Sequence, residues 1–521
     1  MFAAGQKEMQ QLDQYTIETI GLPGAVLMEN AGAKVLEEIM AVAPSKRSKV
    51  SILCGGGNNG GDGIVIARKL FDLGIEPSLF LLVKPEKLKG DAKIHFQVYK
   101  NRGLPYSEWH EKERELLEST LKESDIIVDA LLGTGAKGEI REPFRTVIEM
   151  VNQKKKEQTV ISVDIPSGVN SDDGKAEGLA IKADKTVTFV YPKKGFFLQE
   201  GPLHVGEWKA VDISVPPSIV DELKLQLPRV ITDELVKNTL PKRVPNGHKG
   251  TFGHVLVIGG SRQYVGAPIF TAKAVLNSGA GLVTLGIPEI IYPMAAAQNP
   301  ESLFLPLPDK EGHLSEESIH ELTSRLGQFD CVAVGPGMSR FAGGEGWLKS
   351  LLSALTGQPV VIDADALYFL RNELDVLRHY KGPVVLTPHP GEMATLSKKT
   401  VKEIEESRLE TALDFAREYK VFLLLKGHRT IIASPSGEVF INPHGHDALG
   451  KGGSGDILTG LIASFLAQGA KPENALISAS FLHAKGGEEK GKQLSNFGVM
   501  PLDIIESMKE LLRNYQSDDL R

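Results

Sequence analysis

Gly450-Lys451-Gly452-Gly453-Ser454-Gly455-Asp456 runs straight into the apolar stretch Ile457-Leu458-Thr459-Gly460-Leu461-Ile462. Glycines let successive backbone N–H groups turn toward one point, and the helix that follows presents its positive end there. The product is an anion site suited to a phosphate. Asp456 stands at its mouth, where a carboxylate is either a helix cap or a base aimed at the group the phosphate is about to join.

Outward from this loop, short β-rich runs alternate with longer helical patterns, and the alternation occurs twice. The first series is Val50–Cys54, Ser78–Leu82, Ile126–Val128, Val160–Val163 and Thr186–Val190. The second is Val255–Ile258, Leu282–Leu285, Val332–Val334, Val360–Ile362, Val384–Leu386 and Val421–Leu425. Continuous rather than alternating hydrophobicity predicts strands covered on both faces, as in parallel sheets with helices between them. The fold class is therefore α/β, with two three-layer αβα domains. Prolines and mixed charge from Val215 to Pro228 place the boundary there, giving residues 1–228 and 229–521. An opening helix is expected from Pro23 to Ala43.

A chain of 521 residues exceeds one ordinary core, in keeping with this division. Hydrophobic residues at 41% and charged residues at 24% are ordinary for a soluble globular protein. The net charge of -7 gives no basic footprint, which argues against nucleic acid as a partner. Cys54 and Cys331 lie in apolar strand-like runs and read as buried free thiols of a reducing compartment. The first residues lack a signal-peptide core and no apolar run approaches membrane-spanning length, so a cytoplasmic protein without membrane association is expected. Homo-oligomeric assembly is also expected.

In each series the residues of interest fall just after strands, where ligands of open α/β sheets bind. The first strand leads into Gly55-Gly56-Gly57-Asn58-Asn59-Gly60-Gly61-Asp62-Gly63. This is neither a dinucleotide G-x-G-x-x-G nor a Walker loop, since no Lys-Ser/Thr closes it. The plain alternative is a glycine-rich turn, but six glycines around two asparagines exceed what a turn requires, which favours a ligand loop. Later strands end at Asp129, followed by Gly133-Thr134-Gly135-Ala136-Lys137-Gly138-Glu139, and at Asp164-Ile165-Pro166-Ser167-Gly168. In a doubly wound fold these ends converge with Asn59 and Asp62 on one crevice. An amide oxygen, a carboxylate and a hydroxyl are hard ligands that suit an alkali or alkaline-earth cation rather than zinc.

In the second series the strand ends carry Gly259-Gly260-Ser261, Gly335-Pro336-Gly337, Asp363-Ala364-Asp365, Thr387-Pro388-His389-Pro390-Gly391-Glu392 and Lys426-Gly427-His428-Arg429-Thr430. The last could be a solvated basic turn. Four loops on the same sheet edge as the anion site make a nucleotide pocket the better account. Asp363 and Asp365 either hold Mg2+ through water, as is common when phosphates supply the other ligands, or Asp363 caps a strand end. Flanking prolines fix the loop around His389, favouring a ligand contact.

Asn58-Asn59-Gly60-Gly61-Asp62, Asp129 with Gly133-Thr134-Gly135, and Asp164-Ile165-Pro166-Ser167-Gly168 resemble the NAD(P)HX epimerase family over about the first 215 residues. That resemblance implies a Rossmann-like domain that interconverts the R and S epimers of NADH or NADPH hydrated at carbon 6 of the nicotinamide ring. It implies substrate contacts at Asn58, Asn59, Gly60, Gly61, Asp62, Gly133, Thr134, Gly135, Ala136, Lys137, Gly138, Glu139 and Asp164. It further implies K+ held by Asn59, Asp129 and Ser167. The reaction requires an acid/base group, and the strand-end Asp164 is the candidate.

Residues 229 to 512 resemble the ribokinase-like ADP/ATP-dependent NAD(P)HX dehydratase family through Val255–Ser261, Thr387–Glu392 and Gly452–Asp456. The resemblance implies that Ala267, Gly337, His389 and Asp456 contact the hydrated dinucleotide. It implies that Lys426, Gly427, His428, Arg429, Thr430 and Gly455 contact the adenine nucleotide, with Mg2+ at the phosphates. Asn442-Pro443-His444-Gly445-His446 departs from the family pattern at its second histidine. The implied reaction converts the S hydrate and ADP into NADH or NADPH, AMP and phosphate, with Asp456 as base; ADP over ATP rests on analogy with fused bacterial members. Two rivals are a vitamin or sugar kinase in the second domain and a non-catalytic binding module in the first.

Overall fold

The computed structural model describes all residues except 44, 46, 137, 520 and 521, and the side chains up to residue 516. The chain divides into two compact units, Met1–Leu227 and Pro228–Arg521.

The first unit contains a seven-stranded sheet. Its strands are β1 (Val50–Cys54), β2 (Ser78–Leu81), β3 (Ser107–Glu108), β4 (Ile126–Ala130), β5 (Thr159–Val163), β6 (Lys185–Phe189) and β7 (Glu207–Val211). They lie in the order β3-β2-β1-β4-β5-β6-β7, and every pairing is parallel. Alternate side chains serve opposite faces. Ile52, Val128 and Ile161 join Val35 and Ile39 of the helix Gly24–Val42 in one core. Leu53, Ile127 and Val160 pack with Leu117, Leu121, Val147 and Val151 in another. This double covering is why the strands read as unbroken apolar runs. The edge strand β7 escaped the sequence reading because Glu207 and Lys209 give it an exposed, polar alternation.

In the second unit a ten-stranded sheet runs Leu303–Leu307, Leu282–Pro288, His254–Ile258, Cys331–Val334, Val360–Ile362, Val384–Leu386, Phe422–Leu425, Ile431–Ala433, Val439–Ile441, Arg229–Val230. The first seven pair in parallel; Ile431–Ala433 is antiparallel to both its neighbours. The short strands beyond Leu425 were not legible, since three-residue apolar runs carry no periodicity. The helix Ser454–Ala467 is apolar on every side and buried from Ile457 to Ala467. A Cβ on Gly460 would stand 2.3 Å from the Thr271 carbonyl oxygen, so this helix packs directly on the backbone of Gly266–Asn277.

The parallel run of each sheet reverses strand order once, between β1 and β4 in the first unit and between His254–Ile258 and Cys331–Val334 in the second. Connections diverge there and leave a crevice at the carboxyl ends of the strands. Cys54 and Cys331 are free and buried, and burial pushes both thiols well above their usual range. Among the described residues no helix is long and apolar enough to cross a membrane.

Gly335 ends a central strand at φ +126°, and a Cβ there would lie 1.8 Å from the Asp363 carbonyl oxygen. Gly335→Ala is expected to destabilise the second unit by about 3 kcal/mol through combined backbone strain and overpacking. Urea unfolding followed by tryptophan fluorescence checks this; a change below about 0.5 kcal/mol would contradict it.

Candidate functional site

In the first unit the chain leaves β1 through Gly55–Gly57 and β4 through Leu131–Gly133, and a cavity of about 470 Å3 opens between them. Asn58, Asn59 and Asp62 line it from the helix Asn58–Asp72, Gly133 to Ala136 from the loop, and Asp164 from the end of β5. Gly60 and Gly61 do not reach the lining. A Cβ on Gly60 would lie 2.0 Å from the Gly55 carbonyl oxygen, and one on Gly61 2.5 Å from Met28 Sδ. Gly60 lets the helix start approach the backbone after β1, and Gly61 lets it pack on the helices that carry Met28 and Ala92. Gly138 and Glu139 also stand outside the lining, and the exposed Glu139 pairs with Arg145 at 3.4 Å. Lys137 lies outside the described residues.

Behind the cavity wall Asp129 is fully buried. It accepts hydrogen bonds from Ser162 Oγ at 2.8 Å, Ser167 N at 2.9 Å and Ser167 Oγ at 2.5 Å. Burial raises its carboxyl pKa, and these neutral donors oppose the rise. Ser167 Oγ also accepts from Leu132 N at 2.9 Å, and Asn59 Nδ2 donates to Leu132 O at 3.0 Å. Asn59, Asp129 and Ser167 are thus linked in one hydrogen-bonded group through the Leu132 backbone.

Asp164 adopts φ +62°, a conformation uncommon outside glycine, which turns its carboxylate off the strand end. Lys193 Nζ lies 2.5 Å from Asp164 Oδ1, and Thr188 Oγ1 and Phe189 N donate to the same oxygen at 3.1 Å. Asp13, Asp62 and Asp91 also line the cavity. Burial pushes Asp13 up to about 6 and Asp62 well above its usual range, and the charge of Asp164 adds to both shifts. Sequence reasoning missed Asp13 and Lys193: the first lies in a helix ahead of the first strand, and the second, four residues beyond β6, is one lysine of a Lys193-Lys194 pair.

In the second unit the loop before the helix Ser454–Ala467 turns at Gly453, φ +96°, which caps the helix without any side-chain cap bond. Asp456 lies within the first turn and therefore is not the cap. Lys426 Nζ is 2.9 Å from Asp363 Oδ1 and 3.9 Å from Glu392 Oε2, and a Cβ on Gly455 would be 3.6 Å from it. Thr459 Oγ1 donates to Asp363 Oδ2 at 2.7 Å. Asp363 is the counter-ion of Lys426, with each of its oxygens accepting one hydrogen bond. Burial pushes Asp456 up to about 7, aided by the charges of Asp363 and Asp365 and opposed by Lys426. Burial likewise brings Glu392 to about 7.

A cavity of about 420 Å3 adjoins this loop. Lys426, Gly427, His428, Thr430 and Gly455 line it. Arg429 instead turns aside, donating from Nη1 to Gly445 O at 3.1 Å. Ala267 and Gly337 are neighbours across the strand-order reversal, where a Cβ on Gly337 would be 3.0 Å from that of Ala267. His389 caps the helix Pro390–Ser397, its Nδ1 accepting from Gly391 N and Glu392 N. The structure adds Arg408, whose Nη2 donates to the carbonyls of Leu425, Lys426 and Arg429 and so shapes the whole loop. It also adds His483, which burial pushes down to about 4, with Nε2 2.9 Å from Ser454 O. Neither bears a local sequence signal, because each acts from a helix remote in the chain.

A family model described as NAD(P)H-hydrate dehydratase matches residues 255–510, and one described as YjeF-related protein N-terminus matches residues 24–195. The chain is 39% identical to the bifunctional NAD(P)H-hydrate repair enzyme of Moorella thermoacetica, over 99% of this chain and 98% of that protein. This chain belongs to the bifunctional NAD(P)H-hydrate repair enzyme family. The enzyme of the same name from Thermofilum pendens is 34% identical over 99% of this chain and 97% of its own length. Among solved structures, the Bacillus subtilis ADP/ATP-dependent NAD(P)H-hydrate dehydratase co-crystallised with ATP/Mg2+ is 28% identical, covering 56% of this chain and 99% of that chain at a TM-score of 0.49.

Lys426→Met in this repair-enzyme relative leaves Asp363 buried without its cation, an expected loss of about 3 kcal/mol at neutral pH. Lys426 holds the Asp363 pKa below its ordinary value, so the wild-type advantage is present above the carboxylate range and shrinks as pH falls through it. Denaturant unfolding of both proteins at pH 7 and in acid checks this; a pH-independent difference would contradict it.

Proposed function

We propose that this chain repairs hydrated NADH and NADPH. The first unit interconverts the R and S epimers, and the second uses ADP to convert the S form into NADH or NADPH, AMP and phosphate. The observation that carries the reading is Asp456, half-buried in the first turn of the phosphate-loop helix near Lys426, its carboxyl pushed up to about 7.

In the second unit Asp456 takes the proton of the carbon-6 hydroxyl as its oxygen attacks the terminal phosphorus of ADP and AMP departs. Loop N–H groups and the helix end stabilise charge developing on the transferring group. The ring nitrogen then expels phosphate from carbon 6, and loss of a proton from carbon 5 restores the dihydronicotinamide. Lys426, locked by Asp363, fixes a positive charge against Gly455. Among the described residues no three His, Cys, Asp or Glu side chains form a metal cage by themselves. Glu392 and Asp365, raised by burial and only partly compensated, fit Mg2+ held through water with phosphates as further ligands. When bound, that ion would neutralise phosphate charge.

For the first unit, Asn59, Asp129 and Ser167 fit K+. Asp129 is a buried carboxylate whose hydrogen-bond donors are all neutral, so a monovalent cation supplies the missing charge.

A mixed R and S hydrate with ADP should regain NADH absorbance completely. Asp456→Asn should slow this by about 10²–10⁴-fold. The base works ionised, so the wild-type rate should rise with pH through about 7 and the variant should lose that rise. Undiminished restoration by Asp456→Asn would refute the assignment. Replacing K+ by tetramethylammonium should slow R-to-S conversion and leave dehydration of pure S hydrate unchanged; equal epimerisation rates in both salts would remove K+ from the site.

A further inference from the structure

Asp13 comes from the helix Gln6–Gln14, outside the matched residues 24–195. Its position over the cavity is set by the chain preceding it. Ala4 pairs in parallel with Lys193, with Ala4 N donating to Pro192 O and Lys194 N donating to Ala4 O, each at 3.0 Å. Gln6 N donates to Asp172 Oδ1 at 2.8 Å, and Lys194 Nζ bonds Glu8 Oε1 at 2.6 Å. Gln10 and Asp13, three residues apart on one helix face, then line the cavity together with Asp62 and Asp164. The segment that anchors this helix is the one that carries Lys193, fully buried and 2.5 Å from Asp164 Oδ1. Lys193 Nζ is further held by Thr188 Oγ1 at 2.9 Å and Tyr191 O at 3.1 Å. One short parallel contact therefore fixes two carboxyl groups of opposite character: Asp164 is paired directly to the Lys193 ammonium, while Asp13 lines the cavity and feels that ammonium only through its charge.

The hydrated ring carbon bears both a hydroxyl and the ring nitrogen, so its configuration inverts when one of those bonds opens and re-forms. Such a step needs an acid and a base poised together. We propose that Asp13 is the second proton-transfer residue of the epimerase site, the acid to the base Asp164, and that Lys193, 2.5 Å from Asp164 Oδ1, is a positioning residue for that base. The assignment rests on the epimerase reading of this cavity. Asp164 removes the hydroxyl proton, and the oxygen forms a carbonyl as the bond from carbon 6 to the ring nitrogen breaks. The nitrogen keeps that electron pair and receives the proton of Asp13. Rotation about the bond between carbons 5 and 6 presents the other carbonyl face. The reverse transfers close the ring with inverted configuration and return both carboxyls to their starting forms; nothing is oxidised or reduced. The ionisable groups around Asp13 are Asp62 and Asp91 of the cavity lining, Asp164 and the buried Lys193. Burial and the charge of Asp164 raise Asp13 to about 6, against the pull of Lys193, so it can donate a proton in mildly acidic solution.

The test follows R-to-S conversion by the full chain in K+ across pH. Wild-type turnover should decline as pH rises above about 6. Asp13→Asn should lower turnover about 100-fold, with KM changed less than about threefold, and should abolish that decline. Asp13→Glu should retain activity with the decline displaced in pH. Lys193→Met should lower kcat with KM changed less than about threefold, and Lys193→Arg should recover part of that loss. Full turnover in Asp13→Asn, or a decline identical to wild type in both Asp13 variants, overturns the proposal. Should Asp13→Asn fail to fold, the profile of Asp13→Glu decides in the same way. Absence of any interconversion by wild type overturns the epimerase reading itself, a result distinct from an active wild type with an indifferent Asp13.

Discussion

Both sites depend on close backbone approach where strand order reverses. A Cβ on Gly55 would lie 1.9 Å from the Leu131 carbonyl oxygen, and one on Gly259 would lie 2.3 Å from that of Pro336. Loops leaving neighbouring central strands therefore touch through main chain alone. That contact brings Asn59 to the Leu132 carbonyl in one unit and Gly337 beside Ala267 in the other. A side chain between the loops would separate ligands that must meet at one point, so the glycines after the strands are geometric before they are chemical.

On that scaffold each unit fixes a single lysine with one carboxylate and leaves others under-compensated. Lys193 is taken by Asp164, and the burden of burial falls on Asp13 and Asp62. Lys426 is taken by Asp363, and it falls on Asp456 and Glu392. An ammonium shared among three acids cannot neutralise all of them in a poorly hydrated crevice, so at least one carboxyl gains affinity for protons. Proton-transfer capacity near neutral pH follows from this imbalance and needs no unusual residue.

The sheets were legible because they are covered on both faces: Val50–Cys54 and Val255–Ile258 must be apolar at every position. Loop chemistry after those strands was legible because ligand loops need glycine, asparagine and aspartate in short compass. Gly60 and Gly61 show the limit of that rule, since a glycine demanded by helix packing has the same letter as one demanded by a ligand. Lys193, Asp13, Arg408 and His483 were illegible for a different reason. Each acts on the site through tertiary proximity, from a helix or loop whose own pattern is that of an ordinary solvated or core element. Asp363 read equally as cap or metal ligand because the lysine that claims it lies 63 residues onward.

The phosphate loop alone does not separate a kinase from a repair dehydratase, because the first chemical step is the same in both. What differs is the acceptor. A phosphate on an ordinary alcohol carbon stays, whereas a phosphate on a carbon bonded to a ring nitrogen has a lone pair beside it that drives its departure. The protein then has to supply a base for one hydroxyl and little more, since the departing phosphate can itself accept the carbon-5 proton. Under the proposed assignment that base is Asp456, whose carboxyl burial pushes up to about 7. A phosphate-transfer fold thus needs no added catalytic apparatus to become a dehydratase, only a pocket shaped for a substrate that discards what it is given.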